Sequence, residues 1–272
     1  MTRENVKVII ALDTLFIFIL ALSGAIESTF LSEAVYYLAF ILPISLGIAY
    51  IHKNKREKAD EEDHSHKNIL PKKDKLLFSM PLIFPSIALT LLISYLTTLL
   101  LGAFGYENPT VIEESFFPAV LLHALIPAVF EELLFRYVPI KLLGKSRGAI
   151  LISSFAFAFA HVNLFMIPYA TFAGVVLAFL YVYSGSILPS IILHFMNNLI
   201  SLISIFGYGG TWLIPAIIVL AILSTVFIII VRKRYAAPIK ELKESDKANY
   251  LSYLLMFALG SLVLSISSLF AM

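Results

Sequence analysis

Residues 212–231 read WLIPAIIVLAILSTVFIIIV, an apolar run without a single charged side chain. A helix of about 20 apolar residues spans the hydrocarbon core of a bilayer, which is about 30 Å thick. The whole chain has this character, because 60% of its 272 residues are apolar, 14% are charged and the mean hydropathy is +0.91. Soluble proteins average about 45–50% apolar and about 25% charged residues. The sequence therefore predicts an all-α, multi-pass integral membrane protein.

Apolar runs predict about nine transmembrane helices. Their approximate bounds are 6–26, 31–51, 77–101, 116–138, 148–164, 166–184, 187–206, 212–231 and 250–270. The stretch between the second and third helices is rich in charge and is predicted to be a linker outside the hydrocarbon. The chain thus divides into N-terminal transmembrane helices, a charged cytoplasmic linker, a transmembrane core and C-terminal transmembrane helices, with bounds 1–51, 52–76, 77–206 and 207–272.

The positions of Lys and Arg predict the orientation of the bundle. If the N-terminus is cytoplasmic, the basic segments 52–76, 139–148 and 232–249 all lie on the cytoplasmic side. The loops on the opposite side contain no Lys or Arg, and they are 27–30, 102–115 and 207–211. This distribution obeys the positive-inside rule. It predicts a cytoplasmic N-terminus and, in a prokaryotic host, a plasma-membrane location.

The fourth predicted helix carries three charged residues, in the order Glu131-Glu132-Leu133-Leu134-Phe135-Arg136. An ionisable residue within a span costs about 2.5–3.5 kcal/mol on insertion scales, so it needs a partner or a function. Glu132 and Arg136 are spaced i, i+4 and are expected to pair. One alternative is that this pair is purely structural, as part of a charge network that holds two helices together. Glu131 lies about 100° around the helix from Glu132. We therefore expect Glu131 to seek its partner on another helix.

Two further helices supply imidazoles. Phe157 and His161 share a face of the fifth helix, and His194 precedes Asn198 by one turn on the seventh. Each residue alone is typical of a structural hydrogen-bonding group. Together with Glu131 they form a set suited to hydrolysis, either as a Glu and His pair that activates water or as a zinc site with two His, one Glu and an open position. The residues alone leave both alternatives open.

Motifs of other intramembrane hydrolases are absent from the sequence. It contains no His-Glu-x-x-His zinc motif, no Gly-x-Ser-x-Gly elbow and no Cys. Asp13 is the only Asp within a predicted span, so a site of two aspartates cannot be built there. A second Glu pair, Glu113-Glu114, has no Arg at the matching position and precedes a helix start, where acidic residues suit the helix dipole. We interpret that pair as structural.

Three segments carry a resemblance to a known family: Glu131-Glu132-x-x-x-Arg136, Phe157-x-x-x-His161 and His194-x-x-x-Asn198. In this order and on membrane helices they resemble the signature of the type II CAAX prenyl protease family, which also includes abortive-infection and bacteriocin-processing membrane proteins. The resemblance covers residues 115–205. It implies an intramembrane glutamate endopeptidase with a cavity open to the cytoplasm and no obligatory metal or other cofactor. Prenylated CAAX proteins are the implied substrate class, and no nucleic-acid partner is expected.

The resemblance also implies a role for each matching residue. Glu131 would be the general base, and His161 would help it to orient and deprotonate the attacking water. His194 and Asn198 would donate hydrogen bonds to the tetrahedral oxyanion. The residues that would support them are Glu132, Arg136 and Phe157.

Two alternatives to the enzyme remain open at this point. Some members of the family serve immunity or scaffolding, so the same helices could form a membrane protein that binds a partner without cutting it. A proton-coupled transporter could instead use Glu131 and His161 as a relay.

Overall fold

The computed structural model describes residues 3–57, 79–106, 112–161, 163, 165–208 and 210–231. Within these ranges the chain forms eight helices and no β-strand, which confirms the predicted all-α fold. The helices are α1 (Arg3–Gly24), α2 (Thr29–Glu57), α3 (Ile83–Ala103), α4 (Phe116–Leu143), α5 (Arg147–Ala160), α6 (Ile167–Ser184), α7 (Leu188–Ile205) and α8 (Leu213–Val231). The short 3₁₀ turn Met80–Leu82 precedes α3.

In the part of the chain that the structure describes, seven helices are long and apolar enough to cross a membrane. They are all of the eight except α5, and they confirm a multi-pass integral membrane protein. The ninth predicted helix, 250–270, lies outside the described residues. The helix α2 continues through Glu57, so the first six residues of the predicted linker are helical, and residues 58–78 lie outside the described ranges.

The helix α5 is shorter than the predicted span 148–164. Its 14 residues are about 21 Å long at 1.5 Å per residue, which is less than the thickness of the hydrocarbon core. The run of apolar residues is interrupted at Asn163, whose side chain accepts a hydrogen bond from the Phe165 N–H at 2.9 Å and so forms a turn. Because this turn follows so soon, α5 ends inside the bundle, and His161 is the residue that ends it.

The helix α4 is continuous but not uniform. The segments Val120–Leu125 and Leu133–Tyr137 are π-helical, and they flank the α-helical segment Ile126–Glu132. Pro127 and Pro139 lie just after the two π segments. A proline lacks the N–H group and its ring clashes with the carbonyl four residues earlier, so a wider turn before it relieves the clash. Glu131 therefore lies in a short α-helical segment between two π segments.

The helix α4 lies at the centre of the bundle, where it packs against α1, α2, α5 and α7. Two side chains fix its position through backbone carbonyls. Asn5 on α1 donates to the carbonyl of Leu142 at 2.7 Å, and Ser153 on α5 donates to the carbonyl of Phe135, inside the second π segment, at 2.5 Å. The helix α6 packs against α3, α5 and α7, and α8 packs against α3. The charged part of α4 is thus enclosed by its neighbours.

The crossing of α5 and α6 depends on Gly174. A Cβ atom at this position would lie 2.9 Å from the Cα of Ser154 and 3.1 Å from its carbonyl oxygen, and both residues are buried. Because backbone atoms cannot move aside as a flexible side chain can, any larger residue must separate the two helices.

Replacing Gly174 with Ala is expected to destabilise the protein by about 1–3 kcal/mol, the usual cost of overpacking. Thermal unfolding in detergent measures this change. Gly102→Ala is the matched control, since a Cβ at Gly102 would have no atom within 4 Å. Equal unfolding midpoints for the two variants would contradict a tight crossing at Gly174.

Candidate active site

Glu131, His161 and His194 meet at one point, although they come from α4, the end of α5 and α7. The Oε2 atom of Glu131 lies 3.6 Å from Nε2 of His194 and 4.0 Å from Nε2 of His161. Their side chains are 13%, 17% and 5% exposed, in the order Glu131, His161 and His194. Three residues that the sequence placed on separate helices are therefore neighbours.

Both imidazoles are held through their Nδ1 atoms. Nδ1 of His161 lies 2.8 Å from the carbonyl oxygen of Phe157, and Nδ1 of His194 lies 2.9 Å from Oε1 of Glu132. A carbonyl and a carboxylate oxygen only accept hydrogen bonds, so each Nδ1 carries the hydrogen and donates it. Each ring consequently presents Nε2 to Glu131.

Glu132 joins Arg136 to His194. Its Oε1 atom lies 3.0 Å from Nη1 of Arg136, and both side chains are fully buried. The i, i+4 pair expected from the sequence is present, but the sequence did not indicate that the same oxygen also accepts from His194, because that contact crosses between α4 and α7. Glu132 thus fixes the orientation of His194, as carboxylates behind catalytic and metal-binding imidazoles do.

Phe157 packs against three of these groups at once. The guanidinium carbon of Arg136 lies 3.9 Å from the centre of the Phe157 ring, a cation–π contact. The rings of His161 and His194 meet it edge to face, with centroid distances of 4.8 and 5.4 Å. Phe157 therefore holds both imidazoles and the buried cation in place.

Asn198 lies one turn after His194 on α7 and is half-buried. Among the described residues its carboxamide has no hydrogen-bond partner, so its N–H groups are available to a ligand. Oε2 of Glu131 is likewise buried without a hydrogen-bond partner in that part of the chain. Within the same ranges, no group of three or more His, Cys, Asp or Glu side chains is arranged to hold a metal ion.

A cavity of about 200 Å³ reaches Glu131 and His161. It is lined by Phe16, Leu20, Tyr36, Phe40, Glu131, Phe135, Ala160 and His161. The first four belong to α1 and α2. Sequence reasoning missed these four residues, because aromatic and aliphatic side chains at i, i+4 spacing are the ordinary pattern of a helix core. The sequence feature that the four residues share is this i, i+4 spacing, which occurs between Phe16 and Leu20 and again between Tyr36 and Phe40. No other feature of the sequence indicates that they line a cavity.

A comparison with protein families identifies the segment that contains the charged site. Residues 113–200 match the family model described as type II CAAX prenyl endopeptidase Rce1-like. We call this matched segment the Rce1-like domain. The resemblance drawn from the three motifs is thereby confirmed, and Rce1-like proteins are CAAX-type intramembrane proteases, which act on protein substrates. No curated protein and no solved structure matches the chain.

The Rce1-like domain does not supply the whole cavity, since the wall formed by α1 and α2 lies outside it. Nor do all its acidic residues belong to the site. Oε2 of Glu114 lies 3.1 Å from Nε2 of His123, and both side chains are more than one third exposed. Hydrogen bonds from its own backbone N–H and from His123 lower the pKa of Glu114 below its ordinary value. Glu114 therefore has a local partner of its own.

Proposed function

We propose that the protein is an intramembrane endopeptidase in which Glu131 activates water without a catalytic metal. The observation that carries the proposal is the convergence of two imidazole Nε2 atoms on one carboxylate oxygen of Glu131. The close ion pair of the buried cation Arg136 is with Glu132 rather than with Glu131. A buried acceptor without a partner, beside two oriented imidazoles, suits a general base better than a structural ion pair.

The distances leave room for a water molecule. Gaps of 3.6 and 4.0 Å are longer than direct hydrogen bonds, and polar groups at such separations are often bridged by water. In the proposed reaction the water donates one hydrogen to Glu131 and the other to Nε2 of His161. Its oxygen bonds to the peptide carbonyl carbon while Glu131 takes the proton. Glu131 then delivers that proton to the leaving amine as the C–N bond breaks.

The oxyanion that forms in this step needs donors. In this proposal His194 is the first donor, since Nδ1 is held by the hydrogen bond to Glu132 and Nε2, when it carries a hydrogen, faces the site. The Nδ2–H of Asn198, one turn along α7, is the second donor in this proposal. Arg136 balances the charge of Glu132, so that His194 is not needed for this purpose and its Nε2 atom can act on the substrate.

The proposed substrates are prenylated CAAX-type proteins, whose lipid places the scissile bond near the bilayer. The test is cleavage of a labelled prenylated C-terminal peptide by the purified protein, with and without a strong chelator. Cleavage that survives chelation is expected. Loss of cleavage on chelation would replace this mechanism with the metal alternative. No cleavage, under conditions in which a type II CAAX protease cuts the same peptide, would favour another substrate or a binding role.

Replacing Asn198 with Ala is expected to lower kcat by about 10²–10³, the usual cost of losing one oxyanion donor. Asn197→Ala is the matched control, because its side chain lies about 100° around α7 from that of Asn198. Steady-state cleavage of the prenylated peptide measures both. Equal losses in the two variants would show that Asn198 has no special role in the reaction.

A further inference from the structure

The wall that α1 and α2 add to the cavity has a fixed part and an accessible part. Phe16 and Phe40 are buried, with 2% and 4% of their surface exposed, whereas Leu20 and Tyr36 are half-buried. The Phe16 ring lies 4.9 Å from that of Phe40 and 5.6 Å from that of Phe135, centre to centre. The packed rings of Phe16, Phe40 and Phe135 close this side of the cavity. Leu20 and Tyr36 are the residues of this wall that a ligand can contact.

The size and polarity of the cavity restrict what it can hold. A volume of about 200 Å³ is below the range of about 300–1,000 Å³ that is usual for drug-sized ligands, so it suits a single side chain. Of the eight described residues that line it, only Glu131, His161 and Tyr36 carry polar groups, so a charged side chain would lose hydration without finding enough partners. An isoprenoid chain is several times longer than any such side chain and must lie elsewhere.

We propose that this cavity binds the apolar side chain of the substrate residue on the carboxyl side of the scissile bond, and that Leu20 sets the size it accepts. The proposal rests on the proposed function, since it places this side chain beside the base that attacks the neighbouring carbonyl. Selectivity would then come from α1 and α2, which lie outside the Rce1-like domain. Two chains with the same catalytic motifs could therefore prefer different substrates.

The first test varies the residue that follows the prenylated Cys among Ala, Leu and Phe. Leu20→Phe should narrow the cavity. The ratio of kcat/KM for the Phe peptide to kcat/KM for the Ala peptide is then expected to fall by about tenfold or more, which is within the discrimination that a hydrophobic pocket achieves. Leu20→Ala is expected to raise the same ratio. Leu22→Phe is the matched control, because Leu22 is on the same helix and 45% exposed, and it should leave the ratio unchanged.

The second test does not depend on cleavage. The chain contains no Cys, so Leu20→Cys introduces a single thiol whose reaction with a maleimide can be followed. The Phe peptide is expected to slow the labelling by maleimide more than the Ala peptide does. The same difference is expected when Glu131 is also replaced by Gln, because it depends on binding and not on cleavage. Protection without any cleavage would support the cavity and contradict the proposed function. Cleavage that depends on Glu131, with a ratio unaffected by either Leu20 variant and no difference in protection, would overturn the cavity alone.

Discussion

Replacing Glu131 with Gln is expected to lower kcat by about 10²–10⁴, the contribution typical of a general base. Gln keeps the size and the hydrogen-bonding shape of the side chain but cannot accept the proton of the attacking water. Oε2 of Glu131 is buried without a hydrogen-bond partner in the described part of the chain, so the neutral amide should not destabilise the fold. Activity should fall while the unfolding temperature stays the same or rises, as is common for polar catalytic residues.

The matched control for this variant is Glu113→Gln, in the second Glu pair of the chain. Glu113 is exposed and precedes α4, so it should change neither cleavage nor stability. Peptide cleavage and thermal unfolding, measured on the same preparations, separate the two effects. Wild-type cleavage by Glu131→Gln would rule out the proposed base, whatever the remaining residues do.

Replacing Glu132 with Leu is expected to lower both stability and activity. Removal of one partner of a buried ion pair typically costs about 3–5 kcal/mol, because the remaining charge is left uncompensated, and here that charge is Arg136. His194 also loses the acceptor of its Nδ1–H, which lies 2.9 Å away. Thermal unfolding in detergent and peptide cleavage measure the two consequences separately.

A double variant distinguishes the two roles of Glu132. When Arg136 is also replaced by Leu, the ion pair is removed as a whole and neither of its two charges is left behind, so much of the lost stability should return. Cleavage should stay low, because the imidazole of His194 still lacks the carboxylate that orients it. Full recovery of cleavage in the double variant would mean that Glu132 does no more than neutralise Arg136.

The parts of the fold that could be predicted from sequence are those decided within one helix. The spans follow from apolar composition, and the contact between Glu132 and Arg136 follows from i, i+4 spacing. The contact between Glu132 and His194 joins residues 62 positions apart and depends on how α4 packs against α7, which no local pattern records. The early end of α5 was missed because the residues on both sides of Asn163 are apolar, so composition alone extends the helix.

The roles of the candidate site residues stay predictions, whereas their positions can be compared with the structure. Glu131, His161 and His194 were identified because charged and ionisable residues are conspicuous within apolar helices, and the structure brings them together. The wall formed by Leu20 and Tyr36 was not identified, since nothing distinguishes these residues from lipid-facing or core positions until α1 and α2 are seen against α4. The cytoplasmic N-terminus and the opening of the cavity towards the cytoplasm stay predictions.

The π-helical segments of α4 mean that the direction in which Glu131 faces is determined by how many residues the helix contains. A turn closed by i→i+5 bonds holds one residue more than an α-helical turn, so each segment advances everything beyond it by roughly 100° of rotation. Deleting a single residue from Val120–Leu125 would leave every motif intact in the sequence and yet turn the Glu131-Glu132 pair away from α7 or twist the start of α4 out of its packing. The orientation of Glu131 around α4 thus depends on the number of residues in the helix. A comparison of catalytic residues alone does not detect a change in that number.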